Sequence, residues 1–329
     1  MTYRIRPFTT GDYEGIAAVL NADTPEYPTT AGNIRDRDAR RPERLTWLRL
    51  VAEENGANVA PVIAGVVTAA QVTWMYHPQK FFFDLNVYPR LVGEGLRAAL
   101  YKAMLEALAP HDRLQLNTRA REDETDRLRF LEARGFVEFD RDWESRLDPS
   151  RVELRGYNGL EPALRERGIV IRTLTELMES DPDYARKLFD LDWEASQDVP
   201  LEDTVTRPSF DEYCAEHFES PNIMPDAYFV AVDEASGDYA GVSNLWRSAA
   251  DPGELYTGFT GVKRAYRRRG IALALKLKAV AYAQAHGNPT IKTWNAQRNR
   301  PMLAINERLG FVKQPAWIAF RKKMNEVNP

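Results

Sequence analysis

Apolar and polar residues alternate along the first ten residues, MTYRIRPFTT, the period of a strand with one buried face. The second half of the chain shows a fuller series. GIVIRTL from Gly168 predicts a strand. Leu188, Leu191 and Ala195 recur at spacings of three and four, which predicts a helix from Asp183 to about Ser196. AYFVAVDE and AGVSNLWR read as strands joined by a turn near Gly237, and ELYTGFTGV as the next strand. A helix follows from about Gly270 to Ala285, with Leu273, Leu277, Val280 and Ala281 down one side. Ile271 and Leu275 widen that stripe, so this helix is expected to pack on more than one side. TIKTW, then Arg300 to Leu309, then PAWIAFRKK predict strand, helix and strand. Strands joined by both hairpins and helices give an α/β fold with a mixed sheet.

The halves resemble each other. YRIRPFTTGDY echoes IVIRTLTEL, RLVGEGLRAALYKAM from Arg90 echoes RRRGIALALKLKAV from Arg267, and FLEARGFVEF echoes INERLGFVKQ. The order is preserved while the offset drifts from about 166 to about 177 residues, a drift that surface-loop insertions tolerate. Two domains are therefore expected, residues 1–150 and 168–329. Residues 151–167, punctuated by Gly156, Gly159 and Pro162, serve as the linker.

Composition narrows the classes. Hydrophobic residues are 44% and charged residues 28% of 329, so the chain buries a core and is not disordered. Net charge is −4, which argues against a nucleic-acid partner. The single Cys214 allows no intrachain disulfide. The four histidines have no ligand spacing, so no metal centre is expected. No apolar run reaches the ~20 residues of a membrane helix. A protein of a reducing cytoplasm without a membrane partner is the expectation, as a monomer or a homodimer.

The segment that stands out is VKRAYRRRGIALALK, Val262 to Lys276. A strand end leads through Lys263, Arg264, Arg267, Arg268 and Arg269 to Gly270 and a helix. Helix-start N–H groups lack internal partners and carry partial positive charge. Gly270 and the small Ala272 let an anion approach that backbone. The pattern fits a phosphate-binding turn, or a solvated basic helix start. It has neither the Lys-Ser/Thr pair of a P-loop nor the third glycine of a dinucleotide fingerprint.

RRRGIA at Arg267–Ala272 resembles the R/Q-x-x-G-x-G/A signature of the GNAT superfamily of N-acetyltransferases. Val262 stands five residues upstream as in that family, and LGF at Leu309–Phe311 is similar to its second landmark. The duplication resembles mycothiol-synthase-type tandem acetyltransferases. The resemblance implies two GNAT-like acyl-CoA N-acyltransferase domains, with acetyl-CoA as cosubstrate. Its pyrophosphate would lie on the N–H groups around Arg268, Arg269, Gly270, Ile271 and Ala272. Its pantetheine arm would lie between splayed fourth and fifth strands. The Val262 N–H would face the thioester carbonyl, where one positioned donor is worth on the order of 3 kcal/mol. Asn295 and Asn299 would bond the cofactor, Asn299 also reading as a plain N-cap. The acceptor would be a small-molecule primary amine that attacks the thioester directly in a ternary complex. The other readings are a non-catalytic acyl-CoA sensor and a protein N-acetyltransferase.

Acid and base are less defined. The family's tyrosine, four residues before the glycine of GF, is replaced by Asn306. An amide has no proton to give up at neutral pH, though it can bond a sulfur or a water. Tyr256 stands where some members carry a carboxylate. Glu254 lies two residues earlier on the same strand face. Either relays a proton through water, or Glu254 is a solvated strand-end charge. Asp192, Trp193, Glu194 and Asp198 fit an acceptor pocket for a cationic amine, or a polar helix face with Trp193 in the core. The first copy keeps Arg90-x-x-Gly93-x-Gly95. However, its loop from Val87 is two residues shorter, Glu94 enters the cradle, Asp84 is the lone acid on its fourth strand, and Leu131 takes the place of Asn306. It is expected to be degenerate.

Overall fold

The computed structural model describes residues 3–54, 62–93, 95–199, 205–287 and 289–324. Along the first half run β1 (Tyr3–Pro7), α1 (Tyr13–Asp23), α2 (Ala31–Ala39), β2 (Trp47–Glu54), β3 (Val62–Ala70), β4 (Lys80–Val87), α3 (Leu96–Ala107), β5 (Gln115–Arg121), α4 (Thr125–Glu132) and β6 (Val137–Leu147). After α5 (Leu160–Arg165) come β7 (Ile169–Thr173), α6 (Leu174–Ser180), α7 (Tyr184–Ser196), α8 (Phe210–His217), β8 (Ile223–Asp233), β9 (Tyr239–Arg247) and β10 (Glu254–Val262). The chain closes with α9 (Ile271–Ala285), β11 (Thr290–Ala296), α10 (Arg300–Leu309), β12 (Val312–Lys313) and β13 (Trp317–Lys323). The mixed α/β class read from periodicity is the class observed.

Two compact units form, and their limits differ from the expected ones. The first takes the described residues to Arg141 and the strand from Trp317; the second runs from Asp142 to Ala316, apart from a short segment ending at Thr206. Strand pairing explains the difference. In the first unit the order is β1-β2-β3-β4-β5-β13, with Trp317–Lys323 antiparallel to β5. In the second it is β7-β8-β9-β10-β11-β6, with Asp142–Leu147 antiparallel to β11. Each sheet thus takes its last strand from the far side of the sequence repeat. Which edge a strand covers is decided by its ladder partner and not by chain order. The expected linker is itself structured: it carries α5, where Leu164 is fully buried.

Alternation builds two cores on the second sheet. Phe229, Ala231, Leu245, Leu255 and Ile291 face α9. Tyr228, Val230, Val232 and Tyr239 face α6, α7 and α8. α9 buries Ile271, Leu273, Leu275, Leu277 and Val280 on several sides, as its wide stripe predicts. A Leu→Ala change at such a position costs about 2–5 kcal/mol, so the start of this helix is firmly placed.

Candidate functional site

β10 and β11 begin as a parallel pair and then part. Their ladder covers only Glu254–Tyr256 against Thr290–Lys292. Beyond it, the register of β10 against β9 shifts between Thr257 and Thr260, a bulge. β11 stays on β6 through Ala296. The last residues of the two strands therefore line a gap. Lys263 N–H donates to the Ala240 carbonyl of β9 at 2.9 Å. By antiparallel alternation, Val262 N–H points away from β9 and into the gap.

The turn after β10 is a short 3-10 segment, Arg264–Tyr266, followed by an extended Arg267. Arg268 (φ 61°) and Gly270 (φ 86°) are both left-handed, and α9 starts at Ile271. Left-handed residues alternating through a turn make a backbone concavity suited to anions. It sits at a helix start, where N–H groups are unpartnered. A Cβ on Gly270 would stand 2.9 Å from Leu160 Cδ1. A cavity of about 640 Å³ opens here, lined among others by Val262, Arg268, Gly270, Ala272 and Asn299. Arg267, Ile271 and Asp198 line it too.

Lys263, Arg264, Arg267 and Arg269 of the turn are each engaged. Lys263 turns to Asp238 at 2.6 Å, with Glu194 at 3.8 Å. Arg269 donates to the Ala265 carbonyl at 2.9 Å and lies over Tyr266. Arg267 donates to the Val262 carbonyl at 2.9 Å and to Asp198 at 2.6 Å. Arg264 also bonds Asp198. Hydrogen bonds from Arg264, then from Arg267, pull the Asp198 carboxyl down to about 2. Asp198 thus belongs with the turn and not with Asp192 and Trp193, as the sequence grouping had it. Its charge answers two guanidinium groups.

Asn299 caps α10, accepting the Met302 N–H at 3.4 Å, which is its N-cap reading, and it also lines the cavity. Asn295 and Asn306 are joined elsewhere: Asn306 Nδ2 donates to Asn295 Oδ1 at 2.6 Å. Asn306 is buried, and its Oδ1 has no hydrogen-bond partner among the described residues. Neither residue lines the cavity. The pair bridges α10 and β11.

Glu254 is no solvated strand end. Its Oε1 pairs with the buried Lys292 at 2.6 Å, and its Oε2 accepts from Tyr256 Oη at 3.3 Å. Burial, foremost, raises the Tyr256 phenol, which stays protonated at neutral pH. Tyr256 also leans on Trp294, ring centroids 5.7 Å apart. Across the ladder Tyr256 faces Trp246 of β9.

From Trp246 a polar cluster extends into α7 and α8 that the sequence reading did not single out. Trp246 Nε1 and Phe259 N–H, the latter on the bulge, both donate to Asn244 Oδ1 at 3.0 Å. His217 packs edge-on against Trp246 and is stacked on Tyr213. Tyr213 Oη donates to Asp192 Oδ2 at 2.6 Å. The available signal was Ser209-x-x-Glu212, a capping box that starts α8 and carries His217 to its last turn. Trp193 is half-buried, its ring met by Arg207 at 5.7 Å, so a cation of the chain already occupies that face. Among the described residues, no group of three or more His, Cys, Asp or Glu is placed to hold a metal ion, and no helix is long and apolar enough to cross a membrane.

Known proteins bear on this geometry. Residues 185–311 match the acetyltransferase (GNAT) family. The chain is similar to a tandem GNAT protein from the clavulanic acid biosynthesis pathway, at 20% identity and TM-score 0.74 over 98% of both chains. It is similar to a GCN5-related N-acetyltransferase from Sphaerobacter thermophilus, at 20% identity and TM-score 0.66 over 98% of this chain and 95% of that one. A glucosamine N-acetyltransferase region of a fungal multi-domain GH3 β-N-acetylglucosaminidase aligns at 14% identity and TM-score 0.71, over 98% of this chain and 38% of that one. No curated protein sequence matches. The match to the acetyltransferase (GNAT) family thus covers residues 185–311, and the fold of a tandem GNAT protein extends over the chain as a whole.

Proposed function

We propose that the second unit is an N-acetyltransferase that moves an acetyl group from acetyl-CoA to a primary amine of a small molecule. The observation that carries this is the juxtaposition of the β10–β11 gap with the left-handed turn at Arg268–Gly270. Main-chain donors at a helix start suit a diphosphate. A gap-facing strand edge suits an extended amide-bearing arm, which adds as a partial strand. The cofactor residues are Val262, Arg267, Arg268, Arg269, Gly270, Ile271, Ala272 and Asn299.

Val262 lies beside the turn. An arm laid along β10 at about 3.3 Å per residue runs past it toward the bulge. The thioester end then lies near Thr257–Thr260, next to Trp246 and Tyr256. That places Tyr256 and Glu254 on the acceptor side. There Tyr256 serves as a neutral proton donor to the departing thiolate, a part Asn306 does not fill. The amine attacks the thioester directly, since proximity alone supplies much of the rate enhancement. The family match and the tandem GNAT fold support this reading, and it fits a cytoplasmic protein.

Calorimetry tests binding and free-thiol release tests turnover, with glucosamine, tyramine and ethylenediamine as acceptors. One acetyl-CoA is expected per chain, with amine-dependent thiol release. Tight binding without release would replace the transferase by an acyl-CoA sensor. Release with amino-terminal peptides alone would make the acceptor a protein.

A further inference from the structure

The polar cluster between α7, α8 and β9 has no part in holding the cosubstrate, yet it is built like a proton-transfer device. His217 Nδ1 lies 3.1 Å from the Tyr213 backbone carbonyl. A carbonyl only accepts, so the proton is assigned to Nδ1, leaving the lone pair on Nε2. Nε2 stands 4.0 Å from Asp192 Oδ2. That is too far for a direct hydrogen bond. Asp192 Oδ1 is buried without a hydrogen-bond partner among the described residues. A buried carboxylate oxygen left in this state is costly unless a cation or a donor reaches it. An ammonium nitrogen about 2.9 Å from both Nε2 and Oδ2 spans their 4.0 Å separation with ordinary hydrogen-bond lengths and brings a cation to the carboxylate whose other oxygen is unpartnered.

We propose that the Asp192–His217 pair seats the acceptor's ammonium group and that His217 Nε2 takes its proton. This inference rests on the acyl-transfer reading above. The cluster adjoins the reacting strand: His217 packs on Trp246, which faces Tyr256 across the ladder. Trp246 in turn shares Asn244 Oδ1 with the bulge N–H of Phe259.

The balance is complete without a further reagent. The ammonium gives one proton to Nε2, and the imidazolium so formed lies beside the Asp192 carboxyl, which burial raises and the His217 charge draws back down. The freed nitrogen lone pair forms the N–C bond and the C–S bond breaks. Tyr256 gives its proton to the thiolate and takes up the second proton lost by nitrogen, and His217 returns its proton to solvent. The titratable neighbours of His217 are Asp192 on α7, Tyr213 on its own helix and Tyr228 behind Tyr213 on β8. Burial holds both phenols well above their ordinary range, so they stay neutral while the pair works.

The test compares His217→Gln with wild type, using acetyl-CoA and the same three amines. Glutamine keeps a polar side chain but takes up no proton. A loss of about a hundredfold or more in kcat is expected, with the acetyl-CoA Kd and the melting temperature unchanged. The ascending limb of the wild-type pH–rate profile is expected to vanish. Asp192→Asn is expected to raise KM for the amine at unchanged acetyl-CoA affinity. Wild-type-like kcat with an intact pH profile in His217→Gln overturns the inference. A long-range nitrogen-15 spectrum judges it without turnover: a neutral His217 carrying its proton on Nε2 also overturns it. Failure of the acyl-transfer reading shows separately, as no thiol release by wild type with any amine.

Discussion

The two units build the same turn from different residues. From the end of the fourth strand onward, equivalent positions are a constant 175 residues apart: Val87 and Val262, the short turns Pro89–Leu91 and Arg264–Tyr266, Gly95 and Gly270, Gly135 and Gly310. Gly95 (φ 81°) and Gly270 (φ 86°) each precede the helix, and Gly93 (φ 93°) and Arg268 (φ 61°) hold the second left-handed place. The turns are therefore equal in length, and the first is not two residues shorter. Aligning Arg90-x-x-Gly93-x-Gly95 on the signature put the copies two residues out of register. In the structural register Arg90 matches Ala265, and it bonds Glu54 at 2.5 Å. Val92 replaces Arg267, and Arg97 replaces Ala272. Glu94 lies outside the described residues.

What fills the gap differs as well. β4 and β5 also pair only over Lys80–Phe82, so the first unit splays too. There the Val87 N–H bonds Asp23, whose carboxylate is held by Arg127 at 2.5 Å. A carboxylate of the chain thus takes the donor that in the second unit faces an open gap. The backbone turn and the splay belong to the fold. The side chains around each turn are what differ between the units.

Substituting the two helix-start glycines breaks the comparison most directly. Valine at a φ above +80° costs about 1–3 kcal/mol of strain in either unit. Under the proposed function, only at Gly270 does the strained backbone also face a diphosphate. Gly270→Val is expected to weaken acetyl-CoA binding by on the order of a hundredfold in calorimetry, about 2.7 kcal/mol. Gly95→Val is expected to lower the melting temperature and leave that affinity unchanged. Equal losses at both positions would make the first unit a second working site.

This pair of glycines also shows what was legible in the sequence. The strand-turn-helix stands out at Val262–Ala272, because the five cations in the seven residues Lys263–Arg269 are rare in an acidic chain. The element order is readable from periodicity, and Arg300–Leu309 is found at both ends. The last strand of each unit was not readable: β6 and β13 carry the pattern of strands, but pairing partners far along the chain leave no local mark. Nor was the fate of the polar residues. Asp198, Asn306 and Glu254 have the right types for site work, and each is claimed by a partner that only the folded chain brings near. His217 carries no mark in the sequence, because a lone histidine on a helix signals nothing until Asp192 and Trp246 surround it.

A second contrast lies inside the helices after the turns. Tyr101 and Lys276 are equivalent, and each meets the aromatic ring of the LGF-type landmark: Phe136 at 6.2 Å and Phe311 at 5.2 Å. Lys276 is 3% exposed, and burial alone lowers its ammonium to about 8. A depressed lysine costs stability wherever the folded chain must still carry its proton. The penalty is full below pH 8 and fades toward pH 10.4, where the unfolded chain also loses the proton. Lys276→Met is expected to stabilise the second unit by about 1–3 kcal/mol at pH 7, a rise of a few degrees per kcal/mol or less in thermal melts. The gain should shrink between pH 8 and 10. A loss of stability at pH 7 would mean that the ammonium has a partner worth more than its burial.

The smallest effect separates the two aspartates at the cleft. Asp23 bonds a backbone donor in the first unit, whereas Asp198 neutralises Arg264 and Arg267 in the second. If those arginines serve a diphosphate, Asp198 competes with it. Asp198→Asn removes one negative charge from an exposed site, where such pairs are worth about 1 kcal/mol or less. Acetyl-CoA is therefore expected to bind up to about fivefold tighter at low salt, and the gain should fall as ionic strength rises. Because the carboxyl sits at about 2, it stays ionised down to about pH 4. Its contribution to folding is present above the ordinary carboxylate range and is lost only as pH falls toward 2. Between pH 5 and 8 the difference between Asp198→Asn and wild type should accordingly be flat. Weaker binding in Asp198→Asn would instead make the carboxylate a brace that holds both guanidinium groups in place for the anion.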